Sequence, residues 1–303
     1  MSQIKHVQFL GWDKDLAKED FNLFGHTRQI LKVEKKTGSG DITDGRIVKL
    51  WEFERKVNGG KDVKNIPQEE GDCVSWGARS AVVKLSAVEI IKNGDLEKFK
   101  DVFPPYIYGV SRCNISGNCG SRRPGSYGAA AAKGVERFGV IFFDTPGCPG
   151  YSGQIATLWG MRVPAEFLEV GKKYTIGATA QVTSTQDAAE SIVSGYPFTI
   201  AADFVASGFK IKGDKVFATS GFGRGGHMQC CIGYDGTDNS FFIINSHGEN
   251  SCPASPDGAP RGGYWIDERM LRNILAENDS FGYSKFNGFP EQELDKLLFN
   301  IIA

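Results

Sequence analysis

The sequence predicts an α+β chain of two lobes, helical in its first half and stranded in its second. Two patterns carry this. From Val74 to Ile91 the apolar residues recur at spacings of three and four, which is one face of a helix. After Pro197, short apolar runs separated by Gly, Asp and Asn turns read as strands. Glycine, at 38 of 303 residues, is too frequent for a helical bundle. Helices and strands segregated along a chain pack as α+β layers.

The elements follow in order. Asp13 to Phe24 places Leu16, Phe21, Leu23 and Phe24 on a short amphipathic helix, and Gly38 to Asp41 is a loop. Leu50 to Val57 alternates apolar and polar residues, which predicts a strand ended by Asn58-Gly59-Gly60. The long helix over 74–91 stops at Asn93-Gly94. Residues 104–126 read as a loop region, Ala129 to Phe138 as a second helix stopped by Gly139, and Phe142 to Gly153 as another loop. Thr185 to Val193 is a third helix, with Ser184 or Thr185 as its cap and Gly195 past its end. Strands are expected at Phe198–Phe204, His227–Tyr234, Phe241–Asn245 and Gly263–Ile266, and Pro290 opens a final helix. The organisation is thus an arm over 1–48, a main domain over 49–290 and a C-terminal helix over 291–303. Within the main domain the helical lobe covers about 66–155 and the β lobe about 156–290, with the strand near 50–57 added to it.

Composition narrows the function. Apolar residues make up 41% and charged residues 23%, and the net charge is −1, so neither nucleic acid nor an anionic membrane is an expected partner. No run approaches the roughly 20 apolar residues that span a bilayer. Met1 to Asp20 lacks the apolar core of a secretion signal. A cytoplasmic or virion-associated location is therefore expected over a secreted one. The seven cysteines are 73, 113, 119, 148, 230, 231 and 252. Apart from Cys73 they are expected as free thiols, and Cys113–Cys119, within one glycine-rich loop, is the pair to expect if any is bridged.

Three segments carry the chemistry: Gly71-Asp72-Cys73-Val74-Ser75-Trp76-Gly77, then Gly225-Gly226-His227-Met228, then Ile243-Ile244-Asn245-Ser246-His247-Gly248. In that order they supply a nucleophile, a base and a group to orient the base. Cys73 stands at the start of the long helix, where the macrodipole and free N–H groups lower a thiol pKa. Gly225-Gly226 lets another backbone approach His227. Asn245 ends an apolar strand. The bland alternatives are a buried structural cysteine, a core histidine and a turn asparagine. Cys230 and Cys231 are adjacent on a strand and point to opposite faces, which favours core positions over a metal site. Tyr196 and Phe198 read as packing residues, Arg122-Arg123 as a solvated pair, and His6 and His26 as solvated.

On these residues the chain resembles the papain-type cysteine peptidases, in the form with Cys-Val at the nucleophile. The resemblance covers roughly residues 50–290 and includes Gly-Gly-His before an apolar strand and Asn245-Ser246-X-Gly248. Cys73 lies 154 residues before His227 and 172 before Asn245, against about 130–150 in the family. An insertion of about twenty residues is implied. The resemblance implies a papain-like fold, with the nucleophile helix packed on an antiparallel β lobe and a cleft between the lobes. It implies peptide hydrolysis by Cys73, His227 and Asn245, with Gln68 and the Cys73 N–H as oxyanion donors. It also implies substrate-backbone contacts at Gly125, Ser126 and Gly226. No metal or organic cofactor is needed, and the partner is a peptide or protein substrate. Two departures stand out. Gln68 is five residues before the cysteine where relatives have six, and His247 replaces the tryptophan that shields the asparagine–histidine bond. The arm is shorter than the family's inhibitory pro-segment, so no built-in zymogen control is expected. The rival readings are a CHAP-type peptidoglycan amidase, whose histidine lies much closer to its cysteine, and an inactive papain-like scaffold within a larger assembly such as a phage particle.

Overall fold

The computed structural model describes residues 11–25, 28–30, 45–93, 98–120 and 123–284. The expected final helix, the loop at Gly38, Gly94, His6, His26 and Arg122 lie outside them. In chain order the elements are α1 (Lys14–Phe24), β1 (Ile47–Lys49), α2 (Leu50–Val57), α3 (Cys73–Asn93), α4 (Pro104–Gly109), a π-helical turn (Val110–Ile115), α5 (Gly128–Phe138), α6 (Gly153–Met161), α7 (Ala165–Gly171), β2 (Ala178–Gln181), α8 (Thr185–Val193), β3 (Phe198–Lys212), β4 (Lys215–Asp235), β5 (Ser240–Ile244), β6 (Gly263–Asp267), α9 (Glu268–Leu275) and β7 (Phe281–Ser284). No described helix is long and apolar enough to cross a membrane.

One sheet runs in the order β2-β7-β3-β4-β5-β6, with β1 added along β4. Its ladders are antiparallel apart from a single parallel pairing of Phe217 in β4 with Trp265 in β6. Helix α3 lies against β4 and carries Val74, Ala78, Ala81, Val82, Leu85 and Val88 into the core. Tyr196 and Phe198 are core residues, as their apolar setting implies. Helices α4 and α6 pack together through Phe103 and Trp159, whose rings meet edge-on at 5.2 Å. Gly109 makes that approach possible, since a Cβ there would sit 2.4 Å from the Trp159 carbonyl oxygen.

Four expectations are corrected. Leu50–Val57 is a helix, not a strand. Its buried set is Leu50, Trp51, Phe53 and Glu54, and Leu50, Phe53, Glu54 and Val57 keep helical spacing. The apparent alternation misleads because Glu54 points inward, where it accepts from the Lys84 ammonium and the Val63 N–H. Residues 104–126 are not all loop. Pro104 and Pro105 occupy the first turn of α4, where a missing N–H costs nothing, and the π-helical turn follows. Cys113 and Cys119 form a disulfide that closes this segment, while Cys73, Cys148, Cys230, Cys231 and Cys252 are free thiols. The expected strands at Phe198 and His227 are parts of one long hairpin, β3–β4, with register shifts between Ala202 and Phe209.

The Glu54–Lys84 pair is nearly solvent-free, at 0% and 8% side-chain exposure. Removing one partner leaves the other charge buried and unpaired. Lys84→Met is therefore expected to cost about 3–5 kcal/mol, with part of it recovered in the Glu54→Gln/Lys84→Met double variant. Urea unfolding of the three proteins checks this; equal stability of wild type and Lys84→Met would count against the ion pair.

Candidate active site

Cys73 is the first residue of α3. The preceding Asp72 starts the helix: its carbonyl accepts from Ser75 N at 2.9 Å and Trp76 N at 3.4 Å. Its buried carboxyl accepts from Trp76 Nε1 at 3.1 Å and from the Tyr151 hydroxyl at 3.4 Å. Nearby, Trp76 and Tyr151 meet edge-on at 4.9 Å. Thus Asp72 anchors the turn that presents Cys73 and does not reach the sulfur as a base.

His227 stands on β4, and Asn245 follows the end of β5. The two strands pair antiparallel, with Cys230 opposite Ile244 and Cys231 opposite Ile243. Extending that register sets His247 opposite His227 and Asn245 one diagonal away. The side chains meet accordingly. His227 Nε2 is 2.7 Å from Asn245 Oδ1. The rings of His227 and His247 stack, with centroids 4.5 Å apart and planes 18° apart. Asn245 Nδ2 is 3.1 Å from His247 Nδ1, and Ser246 N donates to Asn245 Oδ1 at 2.8 Å.

These contacts assign the protons. Asn245 Oδ1 accepts from Ser246 N, so its amide is oriented with oxygen toward His227. His227 Nε2 must then carry the hydrogen and donate, which leaves Nδ1 as a bare lone pair. Nδ1 is buried without a hydrogen-bond partner. The next residue's amide, Met228 N, donates to Cys73 Sγ at 3.4 Å. The structure thus brings thiol and imidazole to neighbouring positions without a hydrogen bond between them. Catalytic bonds are often long before substrate binds.

Gln68 lies beside the same strand end. Its backbone N–H donates to Ser246 O at 2.8 Å, its Oε1 accepts from Ser246 Oγ, and its Nε2 donates to Glu70 O at 2.9 Å. It is therefore tied to the residue that follows Asn245.

Gly125, Ser126 and Gly226 converge, but they hold this chain's own N-terminal segment. Ser126 N donates to Gly11 O at 2.8 Å, Asp13 N to Ser126 O at 2.8 Å, and Trp12 N to Gly226 O at 3.2 Å. Trp12 and Ser126 form a parallel bridge. Gly125 takes φ +111°, and a Cβ there would lie 3.0 Å from Gly11 O. A Cβ at Gly11 would sit 2.0 Å from Gly71 O, so the segment passes directly over the nucleophile turn. It then enters α1, capped by Asp13, and is held by Lys14–Glu277 at 2.7 Å, Arg28–Asp20 at 2.6 Å and Arg123–Asp13 at 3.4 Å. The arm expected to exert no control covers the site. Sequence reasoning missed it because residues 11–13 are tied to Ser126 and Gly226 through backbone groups; an isolated Trp12 just before the Asp13 cap was the available signal.

The cover sets the electrostatics. Cys73 is fully buried, and burial pushes its thiol up to about 12, with the neighbouring Asp72 charge adding to the rise. The N–H groups of Met228, Gly11 and Val74 oppose this without prevailing. The lowered thiol pKa expected at the helix start is thus overturned by desolvation. Burial likewise lowers His227 to about 4 against the Asn245 hydrogen bond. Both groups are neutral across ordinary pH.

This architecture is that of the papain-like cysteine proteases. A scan of family models gives no match, and no curated protein matches the chain. Among solved structures it is similar to xylellain, a cysteine protease from Xylella fastidiosa, with TM-score 0.60 and 17% identity over 94% of this chain and 98% of that one. It is also similar to proCathepsin B S9 from Trypanosoma congolense, with TM-score 0.53 and 12% identity over 88% of this chain and 85% of that one. The ragweed Amb a 11 cysteine protease in its proform gives TM-score 0.51 and 14% identity over 94% and 77%. At these identities the likeness establishes the fold.

Gly11→Ala forces the segment off Gly71. It is expected to raise the rate of Cys73 alkylation by iodoacetamide roughly tenfold or more at pH 7, because the thiolate fraction grows as the thiol is exposed. With the thiol near 12 in the covered form, the wild-type rate should climb about tenfold per pH unit through pH 9 with no plateau. A mass-spectrometric time course of the Cys73 peptide measures both. Equal rates in the two proteins would show that the segment does not cover the thiol.

Proposed function

We propose that this chain is a thiol-dependent peptidase of papain-like fold, held latent by its own N-terminal segment. The observation that carries the reading is the His227 Nε2–Asn245 Oδ1 bond of 2.7 Å, which leaves Nδ1 bare, one residue before the Met228 N–H that reaches Cys73. Two of the structurally similar proteases are described as proforms, proCathepsin B and Amb a 11, which agrees with a covered site.

In the uncovered enzyme His227 Nδ1 takes the Cys73 proton, and the sulfur attacks the peptide carbonyl carbon. The resulting oxyanion is held by the Cys73 N–H and Gln68. The C–N bond breaks as the imidazolium returns its proton to the leaving amine. Water, deprotonated by His227, then hydrolyses the thioester and restores the thiol. Asn245 keeps the imidazole in the tautomer that both steps require. Removal of the cover restores solvent to the pair, which lowers the thiol pKa and raises that of the imidazole.

The test is hydrolysis of denatured casein by full-length Gly11→Ala. Adding Cys73→Ala should abolish it, a loss of roughly a thousandfold or more. The same change should alter stability by only about 1 kcal/mol. Turnover that survives in the Cys73→Ala protein refutes the assignment, and no turnover in either protein supports the inactive scaffold instead.

His247 contributes twice: its Nδ1 accepts from Asn245 Nδ2 and its ring stacks on His227. Protonation of His247 removes that acceptor and sets a cation beside His227, which disfavours the imidazolium needed for leaving-group departure. In the Gly11→Ala background, His247→Phe keeps the flat ring and loses the acceptor. The expected outcome is a fall in kcat of roughly 2- to 10-fold near neutral pH, the value of one ordinary hydrogen bond, and an acid limb moved to lower pH. A pH–rate comparison decides; an unmoved acid limb excludes titration of His247 as its cause.

A further inference from the structure

The second half of α3 borders an open apolar groove. It is lined by Ile90 on α3 and by Phe142, Tyr174 and Ile176 on the facing segments. The rings of Phe142 and Tyr174 meet edge-on at 4.9 Å, and Tyr174 is 42% exposed. Two cations stand at this wall. Lys100 Nζ is 5.4 Å from the Phe142 ring centroid, and Lys173 precedes Tyr174. Lys100 has Asp144 at 3.0 Å, whereas Lys173 has no acidic partner among the described residues. Strand β7 leads the chain to the same place. Its last residue, Ser284, pairs with Ala178, and the two strands run antiparallel. The chain therefore leaves β7 alongside residues 174–176, which line the groove. The Tyr196 hydroxyl ties this exit to α3, since it bonds the Ser284 side chain and lies near the charge of Glu89, another groove residue.

We propose that residues 291–302 of this chain dock in the groove as an amphipathic helix and cover the exposed side of α3. The proposal does not depend on the peptidase reading. In the run Glu291-Gln292-Glu293-Leu294-Asp295-Lys296-Leu297-Leu298-Phe299-Asn300-Ile301-Ile302, the apolar residues Leu294, Leu297, Leu298, Ile301 and Ile302 recur at three and four. On a helix they form one stripe. Glu291 and Asp295 border that stripe on one side and Glu293 on the other, while Lys296 falls on the opposite face. The three acids thus flank the apolar face as Lys100 and Lys173 flank the apolar wall. The reach also fits. Lys285 to Phe289 can span up to about 17 Å before Pro290. The helix itself is about 18 Å long, and the groove follows α3 from Val82 to Ile90, about 12 Å of helix. A short tether holds the stripe near the groove at an effective concentration of order millimolar, which favours this segment over a second copy.

The experiment is carbodiimide cross-linking of the full-length protein, which joins a carboxylate to a lysine amine only where the two touch. Equal amounts of isotopically light and heavy protein are mixed, and the links are mapped by mass spectrometry. Lys14–Glu277 at 2.7 Å and Lys100–Asp144 at 3.0 Å are internal standards and report an intact fold. The expected result is a link from Lys100 or Lys173 to Glu291, Glu293 or Asp295, formed within one chain. No such link while the standards form overturns the proposal. The same link between light and heavy chains also overturns it and gives the groove to a second copy. Leu298→Asp places a carboxylate on the stripe, which must be desolvated to dock, so the yield should fall roughly tenfold or more. Phe299→Asp adds the same charge one residue later, off the stripe, and should keep the yield. Equal yields in these two variants overturn the proposal. Tyr174→Asp alters the groove at an exposed position and leaves the segment untouched. It should lower the yield while the Lys14–Glu277 standard is kept; an unchanged yield places the segment elsewhere and overturns the proposal.

Discussion

The hydrogen bond from His227 to Asn245 spans two strands that the chain must first bring into one register. The β4–β5 ladder does this over a short turn, with Cys230 opposite Ile244 and Asp235 opposite Ser240. A slip by one residue would turn every side chain to the other face of the sheet. His227 would then leave α3, and His247 would lose its stack. The ladder is well determined because it is buried on both faces: Met228, Cys230, Cys231 and Ile232 on β4 and Phe241, Phe242 and Ile243 on β5 are all core residues. Apolar packing thus sets the geometry of a polar pair. Helix α3 closes the arrangement by resting its first turn against the same strand, where Met228 N reaches the Cys73 sulfur.

Desolvation and hydrogen bonding compete at this site, and in the covered form desolvation wins. The helix start, three N–H groups near the sulfur and the Asn245 carbonyl all favour a thiolate–imidazolium pair. Yet the thiol stands at about 12 and the imidazole at about 4. A charged pair here would be cut off from water by Gly11 and Trp12, and its mutual attraction does not offset the loss of two hydration shells. Covering the site therefore changes its chemistry as well as its access. The thiol is held neutral by burial under the same backbone that covers it.

Much of this was legible in the sequence, and the rest was hidden for identifiable reasons. The spacing of Val74, Ala78, Ala81, Val82, Leu85 and Val88 specified α3, the Gly-Gly-His motif fell on β4 as read, and the Asn-Ser motif begins one residue past the end of β5. Leu50–Val57 was misread because polarity was taken for exposure, and Glu54 is a buried ion-pair partner. The short helix after Pro104 escaped because six residues hold too little periodicity, and prolines that begin a helix look like prolines that prevent one. The covering segment was invisible for a different cause. Its ties to Ser126 and Gly226 are backbone groups, which carry no residue code, and its side-chain contacts, such as Trp12–Asp279 and Lys14–Glu277, join it to residues across nearly the whole chain.

The direction of the covering segment sets which of its groups face Cys73. Ser126 gives its N–H to Gly11 and takes the N–H of Asp13, which is the parallel pattern; an antiparallel partner would exchange both bonds with one residue. In this direction the Gly11 carbonyl is turned to Ser126, and the Trp12 carbonyl oxygen packs against Gly226. The group offered to the Cys73 sulfur is the Gly11 N–H. An amide hydrogen can stabilise sulfur but cannot be attacked by it. The segment thus meets the sulfur with an N–H, while its Gly11 and Trp12 carbonyl oxygens are turned to Ser126 and Gly226. Trp12 gives that arrangement its grip, because releasing it exposes a large ring and leaves a buried carboxylate short of one donor. Whatever displaces the segment must meet both demands.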